Sequence, residues 1–157
     1  MYVVFKPTGN AFAFSVASTK RFLCKYDQLP KTLKKKTVAT DGETHTLSGY
    51  SADKPEGFTH VEPQRVMDRS NEIGHELRNA GAMDQGVPGQ YSASHAEKQL
   101  ILENPAANNI DVSRPMCTDC QSFFSSESAA QNRPITVSDP EVLRTFNPDG
   151  SVVTKPI

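Results

Sequence analysis

The sequence predicts an α/β sandwich, with helices covering one sheet, in a single domain. Three observations point there. A chain of 157 residues suits one domain with a proper core. Strand-like stretches come first, two of them joined by Asp41-Gly42, a strong hairpin signal. Beyond residue 62, helical and alternating segments follow one another, as helices laid on a sheet require.

Taken in order, "YVVF" and "AFAFSVA" are rich in β-branched and aromatic residues and read as N-terminal strands. The stretch "TVATDGETHTLSGY" is the hairpin, and residues 51–62 form a loop. Pro63 opens a helix across "QRVMDRSNEIGHELRNA", where Val66, Ile73 and Leu77 fall roughly on one face and Gly74 is the weak point. The Gly/Pro/Ser-rich "GAMDQGVPGQYSAS" is a loop. A short helix runs from about His95 to Glu103 and stops at Asn104-Pro105. "NIDVS" is a brief strand, and "CTDCQSFFSSESAAQ" places Cys120, Phe123 and Phe124 at helical i, i+3, i+4 spacing, which marks the two phenylalanines as core. "PITVSD" alternates as a strand does, and "FNPDGSVVTKP" reads as a terminal turn and strand.

The net charge of −1 hides a segregation. Residues 1–36 hold eight Lys/Arg against Asp27 alone, a net +7, and the remainder holds nine against seventeen, a net −8. Such a basic segment, ending in "KTLKKK", permits a phosphate-bearing partner without requiring one, since a solvated basic face looks the same. Arg65 and Arg69, four apart on a helix, likewise read as a solvated face. No apolar run is long enough to span a membrane. "MYVVFKPTGN" lacks the basic start and apolar core of a signal peptide, and it opens in mid-strand, as a fragment of a longer protein would.

The cysteines are Cys24, Cys117 and Cys120, an odd count that argues against a disulfide scaffold. Cys24 reads as a small buried apolar residue. Cys117 and Cys120 form a C-x-x-C pair, open to metal ligation, to redox chemistry or to coincidence. Upstream, Ser94-His95-Ala96-Glu97 fits a capping box, in which Ser94 and Glu97 satisfy each other's backbone N–H and His95 goes unexplained. Zinc offers a second reading. His95, Cys117 and Cys120 supply the three nitrogen and sulfur ligands of a hydrolytic site, whose fourth position holds water with a pKa of ~7. Glu97, a poor ligand there, suits a proton shuttle in the first helical turn. A closed structural site would instead recruit His45, His60, His75 or Cys24.

"HAE" followed, eighteen residues beyond Glu97, by "PMCTDC" resembles the H-x-E and P-C-x-x-C signature of zinc deaminases. Met116 separates Pro115 from Cys117, a departure from the literal P-C pair that bears on substrate orientation more than on the ligands. With "SASHAEKQL", "SRPMCTDCQSFF" and "ITVSDPEVLRTFNPDGSVV", the chain resembles the cytidine-deaminase superfamily, and within it the deaminase domains of bacterial polymorphic toxins. The resemblance is firm over about 90–140 and looser over the hairpin at 37–50.

The resemblance implies a three-layer sandwich, a mixed five-stranded sheet with helices on both faces. No motif covers 1–36 or 51–90, which read as a basic N-terminal extension and as an insertion in a deaminase core at 37–157. One Zn2+ on His95, Cys117 and Cys120 is implied, with Glu97 as catalytic proton shuttle and Tyr91, Ser94, Ala96 and Met116 as substrate contacts. The implied reaction converts cytosine to uracil in nucleic acid, single-stranded DNA first because an unpaired base costs no flipping energy. Duplex DNA, RNA, and free cytidine or adenosine are the other substrates of the class. The implied partners are a nucleic acid and a cognate immunity protein, with no membrane. The implied setting is a larger secreted toxin delivered to the target-cell cytoplasm.

Overall fold

The computed structural model describes residues 29–157. The expected strands at "YVVF" and "AFAFSVA", and Cys24, lie outside the described residues. Strands β1 (Val38–Thr40), β2 (His45–Leu47), β3 (Asn109–Val112), β4 (Ile135–Ser138), β5 (Val142–Phe146) and β6 (Val152–Pro156) form one sheet in the order β2-β1-β3-β4-β5-β6. All neighbours pair antiparallel except β3 and β4, which run parallel. Helices α1 (Pro63–Ile73), α2 (Gln90–Ala93), α3 (Ala96–Glu103) and α4 (Thr118–Gln131) alternate with the strands, and α4 makes the β3-to-β4 crossover. This is a mixed α/β architecture of the expected kind, with six strands among the described residues where five were expected.

The strand absent from the sequence-based prediction is β5, and its register explains why. Arg144 pairs with Val137 and so takes an inward position, which spoils the apolar alternation. It is tolerated because its Nη1 meets the Asp139 carboxylate at 2.6 Å. "NPDGS" is then the turn of the β5–β6 hairpin rather than an approach to a lone last strand.

The β1–β2 hairpin forms as predicted: the Asp41 carboxylate accepts from the N–H groups of Glu43 and Thr44, and Gly42 takes φ +102°. Helix α1 ends sooner than predicted, at Ile73, because Gly74 adopts φ +76° and His75 N–H closes on the Ser70 carbonyl. Leu77 therefore packs on the core from beyond the helix. The "GAMDQGVPGQYSAS" loop contains a 3-10 turn at Gly81–Asp84 and the single turn of α2. Buried Asp84 organises it, accepting from Ala80 and Tyr91 N–H.

The main core gathers Ala39, Ile110, Val112, Ile135, Val137 and Phe146 from one sheet face with Leu100, Ile101, Phe123 and Phe124 from α3 and α4. Phe123 and Phe124 are fully buried, as their spacing predicted. The hairpin's other face carries a small cluster of Leu29, Val38 and Leu47, with Leu33 of a 3-10 turn (Lys31–Leu33) and Phe58 packed against it. Arg65 and Arg69 do more than face solvent: Arg69 pairs with Glu72 and with buried Glu127 of α4, and Arg65 reaches Glu103 of α3. No described helix is long and apolar enough to cross a membrane.

Candidate metal centre and its cleft

Two helix mouths meet where the sequence placed the ligands. His95 is the N-cap of α3 and Cys117 the N-cap of α4, both with extended backbone, so each side chain projects from a helix end. Cys120 lies one turn into α4 and points back to the same place. His95 Nδ1 stands 3.3 Å from Cys120 Sγ and 3.6 Å from Cys117 Sγ. All three donor atoms fall within 4.8 Å of one another.

These spacings fit a zinc ion. Tetrahedral Zn–S bonds of about 2.3 Å and Zn–N bonds of about 2.0 Å separate their donors by roughly 3.5–3.8 Å. Among the described residues no fourth His, Cys, Asp or Glu joins the group. The histidines weighed for a closed site are engaged elsewhere: His75 with Asp119, His60 with Glu62, and His45 edge-on to Phe58.

The thiols are already differentiated. A hydrogen bond from the Cys120 thiol holds the Cys117 thiol down to about 3 against the opposing effect of burial, with His95 and the Cys120 N–H adding to it. Burial pushes the Cys120 thiol well up, and Cys117 and the nearby Glu97 charge add to that. One sulfur is thus a thiolate before any cation arrives, and a cation would displace the proton from the other.

Ser94 does not form the capping box. Its Oγ donates to the Tyr91 carbonyl at 2.7 Å, closing α2, while His95 holds the N-cap position and no side chain caps α3. Glu97 is therefore free of the structural role that competed with chemistry. It is 4 % exposed, and it lines a cleft of about 620 Å3 together with His95 and Cys117. Tyr91 lines the same cleft, its ring edge-on to His95 at 5.3 Å between centroids. Ser94 is in the wall as well. Ala96 and Met116 have their side chains in the hydrophobic core, and their carbonyls accept from Thr46 Oγ1 and Gln121 Nε2.

Behind the three donors lies a buried polar network that motif spacing did not reveal. Lys98 is fully buried, donating to the Ser92 carbonyl at 2.8 Å and to the Asp119 carboxylate, with Phe123 at 5.8 Å under its ammonium. Asp119 also accepts from Arg78 N–H and sits 3.2 Å from His75 Nε2. Although burial works to raise it, these partners hold its carboxyl well below the usual range. The pair Lys98–Asp119 bridges α3 to α4 directly behind the donor set. Asp139 does similar work for the approach to Cys117: it accepts from Met116 N–H at 3.1 Å and from Glu141 and Val142 N–H, and it pairs with Arg144. Gln99 Nε2 bonds the Leu47 and Ser94 carbonyls, tying the hairpin to the α3 mouth. A lysine after H-x-E or an aspartate inside C-x-x-C reads as solvated surface in sequence, so only the three-dimensional pairing identifies them.

Residues 45–101 match the family model described as single-strand DNA deaminase toxin A, C-terminal. The match takes in the 51–90 segment, for which no motif was available, and the H-x-E motif, and it ends before Cys117. No curated protein matches the chain.

Proposed function

We propose that this chain, a bacterial DNA deaminase toxin domain of the cytidine-deaminase type by its family match, converts cytosine to uracil in single-stranded DNA with one zinc ion held by His95, Cys117 and Cys120. The observation that carries the reading is the meeting of three nitrogen and sulfur donors at two helix mouths, with buried Glu97 facing the same cleft. A zinc ion held there would supply the Lewis acidity that makes water nucleophilic near neutral pH.

The chain's own residues supply the rest. Glu97 takes the proton released as water attacks C4 of cytosine and delivers it to N3. It then carries the proton of the new C4 hydroxyl to the departing amino group, so the C4–N bond breaks, ammonia leaves and the C4 carbonyl of uracil remains. Its burial excludes bulk water from that transfer, and the N-terminal ends of α3 and α4 favour negative charge at the centre. The Tyr91 ring, braced on His95, offers a face at the cleft for a base. We place the domain in a larger secreted toxin that acts in the target-cell cytoplasm, with a cognate immunity protein covering this cleft.

The test is a zinc-loaded preparation given a single-cytosine oligonucleotide as single strand, as duplex and as RNA, with free cytidine alongside. Uracil should form fastest in the single strand. Glu97→Gln should keep the fold and the zinc content and lose uracil formation by at least about 10²-fold. An active Glu97→Gln protein would rule out the assigned shuttle, and faster turnover of free cytidine would rule out the polymer substrate.

A further inference from the structure

The hairpin register brings cations to one end of the sheet that the chemistry above does not use. Lys36 precedes β1, Gly49 follows β2 and Arg114 follows β3. Val38 pairs with Leu47, Ala39 with Val112, and Ser113 N–H donates to the Val38 carbonyl. Residues just outside those pairs therefore share one rim. Gly49 N–H donates to the Ser94 carbonyl, which fixes that rim beside the α3 mouth. The cleft wall accordingly includes Lys35, Lys36 and Arg114, and among the described residues Glu97 is the one carboxylate in its lining.

Among the described residues no carboxylate pairs with these three or with Lys54. Lys36 Nζ rests on the Ser48 carbonyl at 3.3 Å, in the space over Gly49 where an added Cβ would stand 2.6 Å from it. Lys54 Nζ, half-buried, donates to the Leu47 and Gly49 carbonyls. Burial and the neighbouring Lys36 charge lower it to about 8. Like charges held together without a counter-charge repel, and an anion relieves them.

We propose that Lys35, Lys36 and Arg114 form a phosphate clamp that seats the single-stranded DNA backbone flanking the nucleotide in the cleft, with Lys54 behind it. This rests on the deaminase reading and specifies how that site selects a polymer. A free nucleoside carries no phosphate for the clamp to hold, whereas a flexible single strand brings a phosphate on each side of the target base.

Binding of a fluorescein-labelled single-stranded oligonucleotide is measured by anisotropy from 50 to 300 mM salt, in a Glu97→Gln background so that the strand is not turned over. The variants are Lys35→Gln/Arg114→Gln and Lys36→Gln, with Lys155→Gln, on exposed β6 at the opposite sheet edge, as the charge control. The double variant should weaken binding about tenfold at low salt. Its log–log salt slope should shrink by about 1.4, since each lost single-strand phosphate contact removes about 0.7. In the Glu97 parent, kcat/KM for the oligonucleotide should fall in step. Variants that match Lys155→Gln in affinity and slope, in a protein that does deaminate the strand, overturn the clamp alone. Binding losses in the clamp variants, together with a wild-type protein that forms no uracil, overturn the deaminase reading and leave the clamp standing.

Discussion

Replacing Asp119 with alanine isolates the buried pair behind the donor set. Lys98 has no exposure, and among the described residues its ammonium's polar and ring partners beyond Asp119 are the Ser92 carbonyl and the Phe123 ring. Removing the carboxylate leaves an ammonium buried without its counter-charge, which costs about 3–5 kcal/mol. The reverse change is milder. In Lys98→Met the Asp119 carboxylate keeps the Arg78 N–H and His75, so the loss should be about 1–3 kcal/mol. Urea unfolding of chelator-treated proteins reads both values without a metal contribution. At roughly 2–4 °C per kcal/mol for a chain this size, Asp119→Ala should melt about 6–20 °C lower. The double variant should recover part of the loss, because both charges are then gone. A loss below about 1 kcal/mol for Asp119→Ala, or single-variant losses that simply add, would refute the claim that the two charges depend on each other.

Two further outcomes follow from the same geometry. Burial opposes ionisation of Asp139, but its N–H donors and Arg144 prevail and its folded pKa lies below the ordinary value. Its stabilising contribution is therefore present above about pH 4 and is lost as pH falls through the folded value. Asp139→Asn should cost about 1–3 kcal/mol at neutral pH and flatten the acid limb of a stability–pH curve, and an unchanged limb would exclude this role. In metal-free protein, Cys117 held at about 3 is a thiolate across the neutral range. Iodoacetamide should modify it ahead of buried Cys120, at a rate almost constant between pH 5 and 8, and zinc should block the reaction; a tenfold fall per pH unit would show an ordinary thiol.

Local chemistry made much of this protein legible in its sequence. Asp41-Gly42 specified the hairpin and Asn104-Pro105 the end of α3, because each signal acts over a few residues, and the paired motifs H-x-E and C-x-x-C pointed to the donors that the fold brings together. The capping-box pattern misled, since Ser94 spends its hydroxyl on the preceding turn instead. Gly74 was the visible weak point of α1 and became its end. What stayed hidden depends on pairing between distant segments. Arg144 hid β5 until Asp139 gave it a partner, Lys98 reads as solvent-facing until Asp119 is beside it, and Arg114 joins the lysine run only through the β1–β3 register.

The Cys117 sulfur already accepts the Cys120 N–H at the start of α4, so part of the ligand set is held in place by the helix end itself. Small zinc modules that lack such a frame stay unfolded until the ion arrives, and their metal affinity is folding free energy. Here the three donors stand at the ends of two helices packed on a sheet-backed core. On the proposed reading the ion would meet a framed receptor, and its uptake and release would be a binding equilibrium of a folded protein, set by thiol protonation more than by chain ordering.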